Sequence, residues 1–305
     1  MFLFRIWCEG LCEEIVIKAE MPTLLVRYGE IGLKSPSVRR RFEQQLIRDI
    51  RTRHAQASVP CIITQARGRL FVDSDDWRKS CELLSRTFGV VSFSPTSQAP
   101  SDLPSLTKAV LEFSELVMFR NATFAVRPRR SGNHPYTSQD MAEKLGKAIL
   151  ERFTDLNVKV ALDQPDLEIS VEVRDNTAYM FTSVLPGPGG MPLSTQGRVL
   201  SVAYSQKGLA STWLMMKRGC SVLVMAEDPS VLKPLDAWYP NLPSIPPEQD
   251  LFACAEREGC IGIALEYDLG EVVEKGPKKG GLPVFYPLVG MSEEETKGLV
   301  YRIRT

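Results

Sequence analysis

Twelve residues, "PGPGGMPLSTQG" at Pro186–Gly197, hold four glycines and three prolines. Proline removes a backbone donor and fixes φ, and glycine prefers no single backbone state, so neither a helix nor a strand is expected to run through them. The stretch reads as a linker and divides the chain. The 305 residues suffice for two or three domains, and the two sides of the divide are patterned differently.

Beyond Gly197, short apolar runs alternate with helical periodicity. Strands are expected at Val199–Ala203, Ser221–Met225, Gly262–Leu265 and Pro283–Tyr286. Helices are expected at Leu209–Arg218, Gln249–Glu258 and Ser292–Ile303. This alternation predicts a small α/β layer with a mostly parallel sheet. Its middle, residues 226–250, is rich in proline and reads as irregular.

On the N-terminal side the pattern is α+β. A strand at Pro22–Tyr28 precedes a helix at Val38–His54, whose Phe42, Leu46, Ile47 and Ile50 recur at helical spacing. Residues 61–74 read as two strands about the turn Arg67-Gly68-Arg69, followed by a helix at Asp76–Val90. Strand, helix, two strands, helix is a ferredoxin-like order. "SFSPTSQAPSDLPS", residues 92–105, reads as a break. A second unit follows: a helix at Leu106–Met118, a strand ending in a basic loop, a helix at Ser138–Phe153 with capping side chains at Ser138-Gln139-Asp140, and a hairpin turning at Asp175-Asn176.

Formal net charge is zero, but the charge is unevenly placed. Met21–Arg53 holds eight basic residues against three acidic, and Glu248–Lys275 eight acidic against two basic. A polyanion partner at the basic end accounts for this, and so do solvated helix faces. The seven cysteines show neither a CxxC pair nor metal spacing, which suits free thiols in a reducing cytosol. No apolar run approaches a membrane span. "MFLFRIWCEG" is followed by Glu13, Glu14 and Glu20 without a small-residue cleavage site, so residues 1–20 read as an N-terminal extension.

Two basic clusters are candidates for phosphate contact: Lys34 with Arg39, Arg40 and Arg41, and Arg127, Arg129 and Arg130 with His134 and Tyr136. Arginine clamps phosphate through a bidentate fork, and an aromatic ring stacks on an unpaired base, which suits RNA better than a duplex groove. Taken alone, a solvated turn with fortuitous arginines explains the second cluster equally well.

Four stretches, in order, carry a family resemblance. "VRYGEIGLKS" (Val26–Ser35) with the basic helix resembles the opening of the tRNA 4-thiouridine synthetases, the tRNA sulfurtransferases. "FAVRPRRSGNHPYTSQ" (Phe124–Gln139) resembles the core of their THUMP domain. "MPLSTQGRVL" with "WLMMKRGC", and then "LPVFYPLVGMSEEET", resemble parts of their PP-loop ATP-binding domain. The resemblance implies an α+β ferredoxin-like domain at 21–90, an α/β THUMP RNA-binding domain at 91–188 and a truncated PP-loop-like domain at 189–305. It also implies a partner, the acceptor end of tRNA, a cytoplasmic location, and adenylation of a tRNA uridine with ATP and Mg²⁺ before a cysteine-borne sulfur displaces AMP.

Three departures set this chain apart from the resemblance. The family's cradle reads Ser-Gly-Gly-x-Asp-Ser, where glycines let backbone N–H groups reach phosphate. Here the turn holds Tyr204, Ser205, Gln206, Lys207 and Gly208, without the Asp or the Gly pair. Lys207 reads first as a surface lysine. The family's Thr-Gly-Glu becomes Leu265-Glu266-Tyr267, and Glu266, Asp268 and Glu271 read as solvated acids. The segment that carries the family's reactive cysteine has none, and Cys254 and Cys260 read as core.

Together these favour a tRNA-binding relative without adenylation or sulfur transfer, with no residue assigned as catalytic and none as a metal ligand. Its partners would be tRNA and either a second copy of the chain or a separate sulfurtransferase, with neither DNA nor a membrane. The alternative is an active ATP-dependent sulfurtransferase with an atypical loop and an external sulfur donor. A third reading, a small α/β enzyme fused to an unrelated α+β module, rests only on the coarse alternation.

Overall fold

The computed structural model describes residues 22–66 and 68–305. The N-terminal extension and Arg67 of the expected turn lie outside the described residues. The chain forms two compact units, each drawn from separate stretches of sequence. One takes the described residues up to Arg27 with Val59–Cys81 and Phe93–Leu185; the other takes Tyr28–Ser58, Glu82–Ser92 and Pro186–Thr305. Among the described residues no helix is long and apolar enough to cross a membrane.

The first unit is built on a mixed sheet. Its strands are β1 (Thr23–Tyr28), β2 (Cys61–Ala66), β3 (Arg69–Ser74), β4 (Val90–Pro100), β5 (Thr123–Ser131), β6 (Lys159–Val160), β7 (Leu167–Arg174) and β8 (Thr177–Phe181), in the order β2-β3-β1-β4-β8-β7-β5-β6, and the short strand β9 (Leu185–Pro186) pairs with β4. Most of the residues read as a break belong to the eleven-residue strand β4, and the rest lead into the helix Leu103–Val117. Polar side chains hid the strand: the Thr96 hydroxyl donates to the Thr23 carbonyl at 2.7 Å, and Gln98 donates to the Thr23 hydroxyl. Such a strand satisfies its polar groups sideways instead of showing an apolar alternation.

Leu167, Ile169, Val171 and Val173 alternate along β7 and face one way. They pack with Leu106, Val110, Met141, Leu145 and Ile149 of the helices Leu103–Val117 and Ser138–Arg152. The second helix starts at Ser138 as expected, but its cap lies one residue before the Ser138-Gln139-Asp140 run. Thr137 is its cap, exchanging hydrogen bonds with Asp140 in a capping box.

The second unit holds the expected parallel sheet. Strands β10 (Arg198–Val202), β11 (Ser221–Met225), β12 (Ser244–Ile245), β13 (Ile263–Ala264) and β14 (Val284–Phe285) take the order β12-β11-β10-β13-β14, all parallel. Both faces are buried, as a parallel sheet requires. Val199, Val222 and Val224 pack on Leu209, Trp213 and Met216 of the helix Gln206–Lys217. Leu200, Val202, Leu223 and Met225 pack on Cys254 and Ala255. The proline-rich middle supplies the strand β12 and two short helical turns, Pro229–Leu232 and Lys233–Asp236. A helix at Leu269–Lys275, absent from the sequence reading, follows β13.

The Pro/Gly stretch is not slack. Gly187 and Gly189 donate to Val91 and Val90, Met191 to Lys217, and Thr195 to Gly219, at 2.7–3.0 Å. Met191 and Leu193 are buried. Gly190 sits at φ 73°, and a Cβ there would lie 2.1 Å from the Lys217 carbonyl oxygen. Glycine is needed at this point because the backbone is clamped, not because it swings. The long helix Pro36–Gln56 belongs to the same unit: Arg53 donates to the carbonyls of Ala237, at 2.8 Å, and Trp238, and Asp49 accepts from the Leu193 amide at 3.1 Å.

Candidate functional site

The arginines expected in a loop after β5 lie on β5 itself. Strand alternation therefore separates them. Arg127 and Arg129 point to the sheet face that the two helices do not cover, where Arg129 neighbours Glu172 in register. Arg130 points the other way. Arg127 pairs with Glu168 at 3.2 Å and also donates to the Leu162 carbonyl. Arg129 and Arg130 are exposed and make no ion pair among the described residues.

His134 is half-buried, lies 3.2 Å from the Ser131 carbonyl oxygen and stacks on Tyr136 with centroids 5.5 Å apart. Tyr136 is buried and donates its hydroxyl to the Ser101 carbonyl. It braces His134, and of the two rings His134 is the more exposed.

The other basic cluster lies in the second unit. Arg40 and Arg41 are exposed on the first turns of the helix Pro36–Gln56. Arg39 folds back onto the Gly32 carbonyl, and Lys34 is half-buried. Each basic cluster belongs to a different compact unit.

The turn after β10 leads into the helix Gln206–Lys217, which Ser205 caps by accepting from the Lys207 amide at 3.1 Å. β13 lies beside β10, so the loop that follows β13 meets this turn. Glu266 reaches across it: Oε2 accepts the Ser205 amide at 3.0 Å and the Ser205 hydroxyl at 3.1 Å. Lys207 donates to Asp268 and, at 3.1 Å, to Glu271. The acids read as solvated are therefore the partners of the turn. Burial pushes the Glu266 carboxyl above its ordinary value, while the Lys207 ammonium holds Asp268 below its own.

Gly208 makes this arrangement possible. A Cβ there would lie 2.4 Å from the Ala203 Cα and 2.6 Å from Glu266 Oε2. Tyr204 is 44% exposed and donates to the Met225 sulfur at 3.2 Å. Beside the turn a cavity of about 520 Å³ is lined by Gln206, Lys207, Leu269, Leu288, Val300 and Tyr301, among others.

Among the described residues no group of three His, Cys, Asp or Glu side chains is placed to hold a metal ion. Cys254 and Cys260 are buried, and burial pushes both thiols up, away from the reactive thiolate. Sequence reasoning missed the Glu266–Ser205 contact. The available signal was three acids just after β13, in its loop and the first turn of the following helix, β13 being the strand that a doubly wound order sets next to β10.

Residues 23–94 match the ThiI ferredoxin-like domain, and residues 100–183 match the THUMP domain. A probable tRNA sulfurtransferase of Methanothermobacter thermautotrophicus is 32% identical, with 92% of this chain and 84% of that protein covered. One from Methanosarcina acetivorans is 29% identical, with 92% and 81% covered. The crystal structure of PH1313 from Pyrococcus horikoshii superposes with a TM-score of 0.79 at 27% identity, over 93% of this chain and all of that one. A 4-thiouridine synthetase solved with RNA and bound ATP superposes with a TM-score of 0.74 at 22% identity, over 93% and 85% of the two chains, a likeness of fold.

Proposed function

Since the chain belongs to the tRNA sulfurtransferase family, we propose that it binds tRNA at the acceptor end and does not itself adenylate or thiolate it. The observation that carries the second half is the Glu266 carboxylate, seated on the amide and hydroxyl of Ser205 at the start of the helix Gln206–Lys217. An ATP phosphate held by such a turn would take those same donors. Here a carboxylate already uses them, and it would repel a phosphate a few ångströms away. The one cation of the turn, Lys207, is neutralised by Asp268 and Glu271. ATP and Mg²⁺ therefore do not fit the residues present.

Two further points support this reading. The buried thiols leave no activated sulfur carrier in the α/β domain. The comparison with the Methanothermobacter relative runs over 338 positions, more than the 305 residues of this chain, so that relative carries stretches this chain lacks.

For the first half, the support is the THUMP match together with Arg129, Arg130, Arg40 and Arg41, exposed and without ion pairs among the described residues. A chain that holds tRNA without modifying it would act with a partner, either a second copy or a separate sulfurtransferase. Titrating tRNA at several salt concentrations tests the binding. Saturable binding that weakens with salt, as counterion release requires, is the expected result. Binding no tighter than that of an unrelated protein of equal charge would overturn the reading.

A further inference from the structure

The last turn of the helix Gln206–Lys217 lies at the far end of that helix from the Ser205 turn, and the cations there have no assigned role. A second helix, Glu293–Arg304, packs beside it through Leu299 and Ile303, which join Trp213 and Leu214 in one core. The ends of the two helices bring Lys217, Arg218 and Arg302 close together. Lys217 Nζ lies 5.3 Å from the centroid of the Trp213 ring, and the Arg302 guanidinium carbon 5.8 Å from it. Arg218 and Arg302 are exposed and Lys217 is half-buried. Among the described residues none of the three makes an ion pair.

Cations often close a helix by meeting its final carbonyls. Here backbone amides already do so. Arg218, Cys220, Gly219 and Met191 donate to the carbonyls of Leu214, Met215, Met216 and Lys217 at 2.8–3.2 Å. In the second helix the Ile303 carbonyl accepts the Trp238 indole N–H at 3.1 Å. Capping therefore takes none of the three side chains. Burial lowers the proton affinity of Lys217, Arg302 and Arg218 lower it further, and Glu30 opposes them. An ammonium crowded by two guanidinium groups gains from an external anion.

Glu30 also locates the cluster. It begins the turn Glu30–Leu33, which leads through Lys34 into the helix Pro36–Gln56 and its exposed Arg40 and Arg41. All of these residues belong to one compact unit. We propose that Lys217, Arg218 and Arg302 contact the backbone phosphates of tRNA and extend the basic cluster of Arg40 and Arg41 onto the α/β domain. The proposal rests on the tRNA-binding reading and gives the α/β domain a task, holding RNA, that needs no ATP. The contact is to phosphates rather than bases, because the one ring of the cluster, Trp213, is 2% exposed and lies beneath the two cations. It therefore adds affinity without choosing among tRNA sequences.

The test uses the full chain and two tRNAs of different acceptor sequence, titrated at several salt concentrations. Arg218→Ala with Arg302→Ala removes the two exposed cations. The expected result is a fall of about 1.4 in the salt slope, about 0.7 for each contact, and binding about tenfold weaker at about 0.15 M salt, equal for both tRNAs. Arg218→Lys with Arg302→Lys keeps the charges and should keep the slope. Lys108→Ala with Lys147→Ala is the control. It makes the same change in net charge, but each lysine is already paired with a glutamate one helical turn on, so its slope should match the wild type.

A wild-type slope in the double alanine variant, or an equal fall in the control, refutes this site and leaves the tRNA reading standing. A loss confined to one of the two tRNAs also counts against it, since a phosphate contact is blind to sequence. Failure of the wild-type protein to bind either tRNA removes the reading beneath it. Should Arg302→Ala lower the melting temperature by giving up its ring contact, Arg218→Ala alone decides, with an expected fall of about 0.7 in the slope.

Discussion

Asp49 sits on the helix that carries Arg39, Arg40 and Arg41. Its two oxygens accept from the Gln45 side chain at 2.7 Å and the Leu193 amide at 3.1 Å. Burial raises its carboxyl from the ordinary 3.8 to about 7, against the smaller pull of Gln45 and Arg53. Between those values the folded protein holds a proton that the unfolded chain has released. Stability therefore falls as pH rises through that window, and the loss is complete above about pH 7.

At about 1.4 kcal/mol for each tenfold change in proton affinity, the loss amounts to at most about 4 kcal/mol. Asp49→Asn removes the charge and keeps an acceptor for the Leu193 amide. The difference in unfolding free energy between the variant and the wild type should grow in the variant's favour from pH 4 to 7 and then level off. Urea unfolding at a series of pH values, followed by tryptophan fluorescence from Trp213 and Trp238 of the same unit, measures it. A difference independent of pH, or one favouring the wild type as pH rises, would refute the reasoning.

Further outcomes follow from the same geometry. Gly208→Ala should cost about 1–3 kcal/mol, because its methyl group must displace backbone at Ala203 or unseat Glu266. Thermal melting checks it, and an unchanged melting temperature would show that the turn is looser than described. Thr137→Ala removes one half of a capping box and should cost about 1 kcal/mol, read from the same melts. Arg40→Ala with Arg41→Ala should lower the salt slope of tRNA binding by about 1.4, or about 0.7 for each lost contact, and leave the melting temperature in place.

The α/β half was legible because its strands are apolar runs. β10 and β11 are buried on both faces, and periodicity finds such strands with ease. β4 escaped because Thr96 and Gln98 meet polar partners on a neighbouring strand, and no pattern within residues 92–105 shows that. The tight packing of Pro186–Gly197 was hidden for a similar reason, since Gly190 answers to a carbonyl at Lys217.

At the candidate sites, residue identity was legible and partnership was not. The sequence displays Lys207 and Glu266, but only the adjacency of β10 and β13 turns a surface lysine and solvated acids into a closed set of contacts. Likewise, Glu172 of β7 pairs with Arg27 of β1 and Arg69 of β3, which lie far apart along the chain.

The central claim, that this family member holds tRNA without activating it, is tested most directly by one assay. Purified protein is saturated with tRNA, given α-labelled ATP and Mg²⁺ with a sulfide source, and followed for AMP. The account predicts no AMP above the rate seen without protein, at a tRNA concentration where binding is shown to be complete. AMP formed in step with added tRNA would contradict it.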